Sequence, residues 1–211
     1  MLDLKTKADL QRLVDEGIEE SITLDYKASP ALTRDGKGPD ELCKDVSALA
    51  NSAGGQLIYG IEEDKTTAKP SKVDDGVADS KITREWIEQV LNSKVQPRMD
   101  GVRIERVALQ TGKFGYVITV QQSQTGPHQA PDGKYYRRFN LQSVPMHDYE
   151  IRDIMRRSTT PVCAIWRSSA RKARSSTSKA RSTAAGCSSS RRSSMRRVSR
   201  TRVRRRGWIS G

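Results

Sequence analysis

Apolar positions along the chain follow two periods, one typical of helices and the other of strands. Some stretches repeat apolar residues every three or four positions, as amphipathic helices do, and others alternate at every second residue or are continuously apolar, as strands are. Helices are predicted over residues 7–16, from Pro39 to just before Gly54, from Ile82 to just before Pro97, and over 147–157. Strands are predicted over Ile22–Tyr26, Gln56–Ile61, Val102–Val107, Tyr116–Val120 and Tyr135–Phe139, with a polar loop over 65–80. This order of elements predicts an α+β fold with helices packed against a mainly antiparallel sheet.

The charge of the chain changes abruptly after Arg157. All 25 acidic residues and 23 of the 38 basic residues lie in residues 1–157, which have a net charge of −2, whereas residues 158–211 hold the other 15 basic residues. This second segment is mostly Ser, Arg, Ala and Thr and lacks the large apolar side chains that a core requires. We therefore predict a folded domain over 1–157 and a disordered basic segment over 158–211. The segment is either an arm that binds phosphates or the product of a shifted reading frame.

Composition also bounds the class of protein. No apolar run reaches the roughly 18 residues of a membrane span, so no membrane partner is expected. The N-terminal residues carry charges, at Asp3, Lys5, Lys7 and Asp9, in place of the apolar run of a secretory signal, which predicts a cytoplasmic protein. The three cysteines are widely spaced and form no Cys-x-x-Cys pair, so neither a disulfide framework nor a zinc site is expected.

Candidate chemistry is concentrated in the segment Glu20–Lys27. Asp25 and Lys27 are two residues apart on a predicted strand, so their side chains share one face. Carboxylates that hold Mg²⁺, with a lysine beside them, are the groups that metal-dependent phosphodiester cleavage uses. Glu63 or Asp64, after the next strand, would supply a third carboxylate if the two strands pair. The same spacing also fits charges on a solvated strand face, so both interpretations stay open.

Three other features each allow two interpretations. The segment Tyr135–Phe139 interleaves aromatic residues with arginines, as in surfaces that bind nucleic acid, but also as in an amphipathic edge strand. Asn51 and the pair Gly54-Gly55 mark either the end of a helix or the close approach of a phosphate or ribose to the backbone. His128 has no second histidine near it, which favours a loop residue over a metal ligand.

Several of these segments together resemble the Schlafen AlbA-like domain, which occurs in bacterial DNA-binding regulators and in animal Schlafen proteins. The resemblance extends from about Ile18 to Arg157. The matching pieces are the Glu-x4-Asp-Tyr-Lys strand at Glu20–Lys27, the helix end and strand that run from Asp45 through Asn51 and Gly54-Gly55, the acidic turn after Gly60-Ile61, Tyr136-Arg137-Arg138, and Pro145-Met146.

The resemblance implies nucleic-acid binding, and in some relatives RNA cleavage. In animal members that cleave RNA, the catalytic carboxylates match Glu20, Asp25 and Glu63, which would hold Mg²⁺ or Mn²⁺, while Lys27 would orient water or offset charge. Two departures bear on that role. The second carboxylate is commonly Glu in the family but is the shorter Asp25 here, and Glu63 is one of three consecutive acids.

We therefore expect a domain that binds DNA or RNA, as in a bacterial regulator of transcription. In this hypothesis Lys27, Arg137 and Arg138 contact phosphates, and Tyr136 stacks on an unpaired base. One alternative is a divalent-metal-dependent endonuclease that acts on RNA or single-stranded nucleic acid. A second is a protein-interaction module, because the folded part is nearly neutral. The sequence favours no particular oligomeric state.

Overall fold

The computed structural model of the chain describes residues 1–64, 66–67 and 69–157. The helices are α1 (Lys7–Asp15), α2 (Gly38–Asn51), α3 (Arg84–Lys94) and α4 (148–157), with a short 3-10 helix at Ser29–Ala31. The strands are β1 (Leu24–Lys27), β2 (Gly54–Tyr59), β3 (Ile61–Asp64), β4 (Lys69–Val73), β5 (Val102–Gln110), β6 (Lys113–Gln121), β7 (Tyr136–Phe139) and β8 (Gln142–Pro145). None of the described helices combines the length and the apolar character that crossing a membrane requires. The predictions of a disordered basic arm or a frame-shifted segment concern residues 158–211, which lie outside the described residues.

A four-stranded sheet in the order β1-β2-β6-β5 forms the centre of the fold. β1 and β2 are parallel, and the other two pairings are antiparallel, which confirms the predicted α+β class with a mainly antiparallel sheet. Helices α2 and α3 cover one face over a core that includes Leu57 and Ile118. Helix α1 covers the other face over Tyr26 and Ile58. Because both faces are covered, a polar side chain that points out of the sheet can still be buried.

Strand β1 carries charged side chains into the interior. Leu24 and Tyr26 pack on the α1 side, whereas Asp25 lies on the opposite side, under α2, and is only 1% exposed. The interpretation of this segment as a solvated strand face is therefore wrong. Ile22, the first residue of the predicted strand, lies outside β1 and is 50% exposed, because backbone hydrogen bonds between Ser21 and Leu24 close a turn before the strand begins.

Gly54 and Gly55 allow neighbouring backbones to approach β2 closely. A Cβ atom on Gly55 would lie 2.4 Å from the carbonyl oxygen of Thr23, and one on Gly54 would lie 2.7 Å from that of Val120. Gly54 also has a φ of +75°, which residues with a Cβ rarely adopt. Since α2 has already ended at Asn51, these glycines are explained by the packing of the chain against itself.

Strands β4 and β8 lie where the sequence predicted no strand. The predicted strand 56–61 breaks at Gly60, whose φ is +119°, so that β3 leaves the main sheet and pairs with β4 inside the predicted loop 65–80. β4 contains Pro70 and two lysines, and therefore shows no apolar alternation. β8 forms a hairpin with β7 and is equally polar.

Candidate functional site

Strand β1, helix α2 and strand β7 bring four charged side chains together beside the edge of the main sheet. We call Asp25, Lys27, Asp45 and Arg138 the buried charge cluster. Lys27 Nζ lies 3.6 Å from Asp25 Oδ1 and 3.8 Å from Asp45 Oδ2. Arg138 Nη1 lies 3.3 Å from Asp25 Oδ2. The two carboxylates and two cations neutralise one another, which is the usual condition for burying charges in a protein.

Contacts from the surrounding chain hold the buried charge cluster in place. The Ser143 hydroxyl donates to Asp45 at 2.9 Å, and Arg138 Nη2 donates to the Ser21 carbonyl at 3.4 Å. Burial raises the pKa of Asp45 although the Lys27 ammonium opposes that shift. Burial alone would lower the pKa of Lys27, but the nearby carboxylates of Asp25 and Asp45 raise it overall. The Lys27 ammonium is therefore a charged group that links β1 to α2 through its ion pairs with Asp25 and Asp45.

The Glu20 carboxylate accepts a hydrogen bond from the backbone at the outer edge of β1. Its Oε1 accepts a hydrogen bond of 2.7 Å from the backbone N–H of Tyr26, a group that has no further strand beside it. Burial raises the pKa of Glu20 to about 7, with further contributions from the carboxylates of Asp25 and Glu63, while the Tyr26 hydrogen bond acts in the opposite direction. Glu20 thus stabilises the local backbone and carries a carboxyl group that titrates near neutral pH.

The predicted metal ligands Glu20, Asp25 and Glu63 lie close enough for the carboxylates of Asp25 and Glu63 to raise the pKa of Glu20. Glu63 lies on β3 opposite Pro70, in a different sheet from Asp25. The oxygens of Asp25 already face Lys27 and Arg138, so a divalent cation there would meet two positive charges. Within the described residues, no three His, Cys, Asp or Glu side chains are grouped so that they could hold a metal ion. Binding of Mg²⁺ or Mn²⁺ by these residues, and metal-dependent cleavage, stay predictions from the sequence.

The predicted nucleic-acid contacts on β7 are mostly buried. The Arg138 side chain is 2% exposed, so it is not placed to contact a phosphate. The Tyr136 ring is also buried; its hydroxyl donates to Asp132 at 2.5 Å, which raises the pKa of Tyr136 to about 12. Arg137 is partly exposed, with its Nε 2.7 Å from Glu150 Oε1. Of these three residues, only Arg137 reaches the surface.

The Asn51 side chain, at the end of α2, makes hydrogen bonds to the backbone of two segments that are distant in the chain, at His128 and at Tyr136. Its amide nitrogen donates to the carbonyls of His128 and Tyr136 at 2.9 Å each, and its oxygen accepts from the His128 backbone N–H at 2.7 Å. The His128 ring is also buried, 2.8 Å from the Pro97 carbonyl and 2.7 Å from the Ser123 hydroxyl. Both residues therefore hold the fold together, and Asn51 is also the last residue of α2, as one of its two sequence interpretations had it.

A cleft of about 760 Å³ opens where the end of α2 meets β7 and α4, and we call it the α4 cleft. It contains four arginines, one Glu and one Asp, a positive balance in a folded region whose net charge is −2. The residues that line it are Asn51, Ser52, Gln122, Arg137, Arg138, Met146, Tyr149, Glu150, Asp153, Ile154, Arg156 and Arg157.

Sequence reasoning did not identify the α4 side of this cleft. Tyr149 is 68% exposed, although aromatic side chains are usually buried. Tyr149 and Arg156 are seven residues apart, which places them on one side of a helix, and this spacing was the available signal. Arg157 pairs with Asp153 at 3.2 Å on the exposed surface, where such a pair is weak.

Comparisons with known proteins place the chain in a family. Residues 20–147 match the family described as Schlafen, AlbA_2. No curated protein matches the sequence. One similar solved structure, a protein from Corynebacterium diphtheriae, is 20% identical, with 71% of this chain and 31% of that chain covered and a TM-score of 0.45. Another similar structure is the N-terminal domain of a RecG-related protein from Nitrosomonas europaea, which is 19% identical. The match covers 66% of this chain and 94% of that domain, with a TM-score of 0.41.

The extents of these matches differ. This chain spans about a third of the corynebacterial chain and most of the domain from Nitrosomonas europaea. The family match covers more than half of the present sequence and includes β1, α2 and β7. The chain therefore belongs to the Schlafen, AlbA_2 family.

Proposed function

We propose that this protein binds nucleic acid and that the α4 cleft is the contact surface of its folded domain. The observation that carries the proposal is that, with the buried Arg138 set aside, three arginines of the cleft, Arg137, Arg156 and Arg157, still outnumber its two acidic residues, in a region that is otherwise slightly acidic. A polyanion is attracted to such a local positive field even when the net charge is unfavourable. Membership of the Schlafen, AlbA_2 family supports the same function.

The chemistry of the cleft favours single-stranded nucleic acid. Tyr149 offers an exposed aromatic face beside Arg156 and Arg157, and unpaired bases stack on such faces while cations hold the phosphates. Bases within a duplex are already stacked on one another. Tyr149 therefore takes the stacking role that the sequence assigned to Tyr136.

Residues 158–211 would add a contribution that does not depend on base sequence. They follow Arg157 directly in the chain and contain 15 basic residues without an acidic one. Each phosphate that they neutralise releases counterions, so affinity should fall steeply as salt is added. Binding of DNA by a regulator of transcription and binding of RNA are two forms of this proposal, and competition between matched DNA and RNA strands distinguishes them.

The proposal is tested with the full chain and labelled single strands and duplexes of equal length, by fluorescence anisotropy at several salt concentrations. Tyr149→Ala should weaken single-strand binding about 5-fold or more and leave duplex binding nearly unchanged, because it removes about 1–3 kcal/mol of stacking. Arg157→Ala should weaken both and reduce the salt slope by about 1 unit.

Arg34→Ala is the matched control, because Arg34 is exposed, does not line the cleft and makes no ion pair among the described residues. It should bind as the wild type does. Equal losses in Arg157→Ala and Arg34→Ala would assign binding to overall charge and not to the cleft. Wild-type affinity in both cleft variants would place the contact surface elsewhere.

A further inference from the structure

The two edges of the main sheet differ in how their backbone groups are satisfied. At β1 the edge is short, the Tyr26 N–H donates to Glu20, and Leu24 bonds with Ser21. At the other edge, β5 is nine residues long and pairs only with β6 among the described residues. An open strand edge of this length is a template for another strand.

The hydrogen-bonding pattern shows which groups of β5 point outward. Phe114 on β6 exchanges both of its backbone hydrogen bonds with Val77, on the side away from β5. Ala108 lies opposite Phe114 and is therefore in a non-hydrogen-bonded pair. Because such pairs alternate along an antiparallel ladder, the backbone groups of Val102, Ile104 and Arg106 also point outward.

Two opposite charges stand next to each other along this open edge. Arg103 and Glu105 are two residues apart and share one face of β5, opposite Thr119 and Val117 of β6. Arg103 is exposed and Glu105 is half-buried. Neither makes an ion pair or a side-chain hydrogen bond within the part of the chain that the structure describes.

We propose that two copies of this chain associate through antiparallel pairing of their β5 strands, with Ile104 at the twofold axis. In this register Arg103 of each copy lies opposite Glu105 of the other, so one contact is repeated twice by symmetry. Ile104 pairs with its own counterpart, and Val102 pairs with Arg106 of the second copy. These outward-facing pairs would exchange about six backbone hydrogen bonds.

Charge selects this register over its neighbours. Centring the pairing on Arg103, Glu105 or Arg106 would place like charges directly opposite each other, which is unfavourable. The pairing would end near Ala108, where the register of β5 against β6 shifts. A second copy fits this edge better than an unrelated peptide, because each copy supplies the Arg103 and the Glu105 that the other copy needs for its two ion pairs.

The test is sedimentation velocity of the full chain after nuclease treatment, over a range from low micromolar to near-millimolar protein. The wild type should show a concentration-dependent dimer. Glu105→Arg should weaken dimerisation about 10-fold or more, because two Arg–Arg contacts replace two Arg–Glu contacts. Arg103→Glu should weaken it similarly. The double variant Arg103→Glu with Glu105→Arg should regain dimerisation, because the charges are exchanged but still complementary.

Arg34→Glu serves as the control, because it reverses an exposed charge outside β5 and should leave the dimer unchanged. Far-UV circular dichroism checks that each variant is folded. A wild type that stays monomeric throughout, a Glu105→Arg protein that dimerises normally, or a folded double variant that stays monomeric would each overturn the proposal.

Amide hydrogen exchange gives a second measurement that needs no substitution. The amides of Ile104 and Arg106 point outward, so their protection should rise with protein concentration. The amide of Glu105 donates within the β5–β6 pair and should be protected at every concentration. Equal protection of Ile104 and Glu105 at all concentrations would contradict the proposed interface.

Discussion

Replacing Arg138 by methionine tests whether this arginine supports the fold or contacts nucleic acid. Methionine keeps much of the side-chain volume but removes the guanidinium that lies 3.3 Å from Asp25. Asp25 is then left with Lys27 at 3.6 Å, an ammonium that it shares with Asp45 at 3.8 Å. The result is two buried carboxylates and one cation, in a site where the Asp25 side chain is 2% exposed.

The expected cost follows from this loss of neutralisation. Removing one partner of a buried ion pair typically lowers the free energy of unfolding by about 3–5 kcal/mol. Because Lys27 still neutralises part of the charge on Asp25, we expect the lower end, about 3 kcal/mol. For a domain of this size, that loss lowers the melting temperature by roughly 6–12 °C.

Urea denaturation followed by far-UV circular dichroism measures this cost, with Arg137→Met as the matched control. Arg137 is the adjacent residue on β7, but its side chain is 31% exposed, so losing its pair with Glu150 should cost about 1 kcal/mol or less. In a double-mutant cycle, Asp25→Asn combined with Arg138→Met should cost at least about 1 kcal/mol less than the sum of the single changes.

The opposite pattern would refute this reasoning. If Arg138 serves mainly as a phosphate contact, Arg138→Met should weaken nucleic-acid binding while the urea midpoint stays within experimental error of that of Arg137→Met. Additive costs in the double-mutant cycle would likewise show that Asp25 and Arg138 are not coupled.

Three further predictions concern Glu20, Asn51 and the test for RNA cleavage. Because folding raises the pKa of Glu20 from 4.5 to about 7, the folded state binds more protons than the unfolded state between these values. This group should therefore make stability fall as pH rises from 4.5 to 7, and Glu20→Gln should remove that dependence in denaturation curves measured across the range. Asn51→Ala should lower the free energy of unfolding by about 2–4 kcal/mol, because it leaves buried backbone groups of His128 and Tyr136 unpaired, whereas exposed Asn92→Ala should cost under about 0.5 kcal/mol. When the purified chain is incubated with labelled RNA and Mg²⁺, Mn²⁺ or EDTA, we expect the wild type and Asp25→Asn to behave alike, without cleavage that depends on Asp25. Metal-dependent cleavage that is lost in Asp25→Asn would support the nuclease hypothesis.

Local patterns in the sequence determined the helices and most of the main sheet. The apolar spacing around Leu10 and Leu13 predicted α1, and the β5–β6 pair followed from two apolar runs joined by a turn. These elements depend on periodicity and on turn residues, which lie close together in the chain. The family also followed from short ordered motifs, because a motif is a property of the sequence itself.

The role of each candidate site residue depended on tertiary contacts. Asp25 and Lys27 have the same spacing whether their face meets water, a metal ion or other charges. The environment of Asp25 is decided by Asp45, 20 residues away, and by Arg138, 113 residues away, and no local pattern connects these positions. The same holds for Tyr136, which the sequence presents as an exposed aromatic and which is buried where α2 packs against β7. Burial and charge pairing arise from the packing of distant segments, so the sequence indicated which residues are chemically notable while only the fold decided that most of them neutralise one another in the interior.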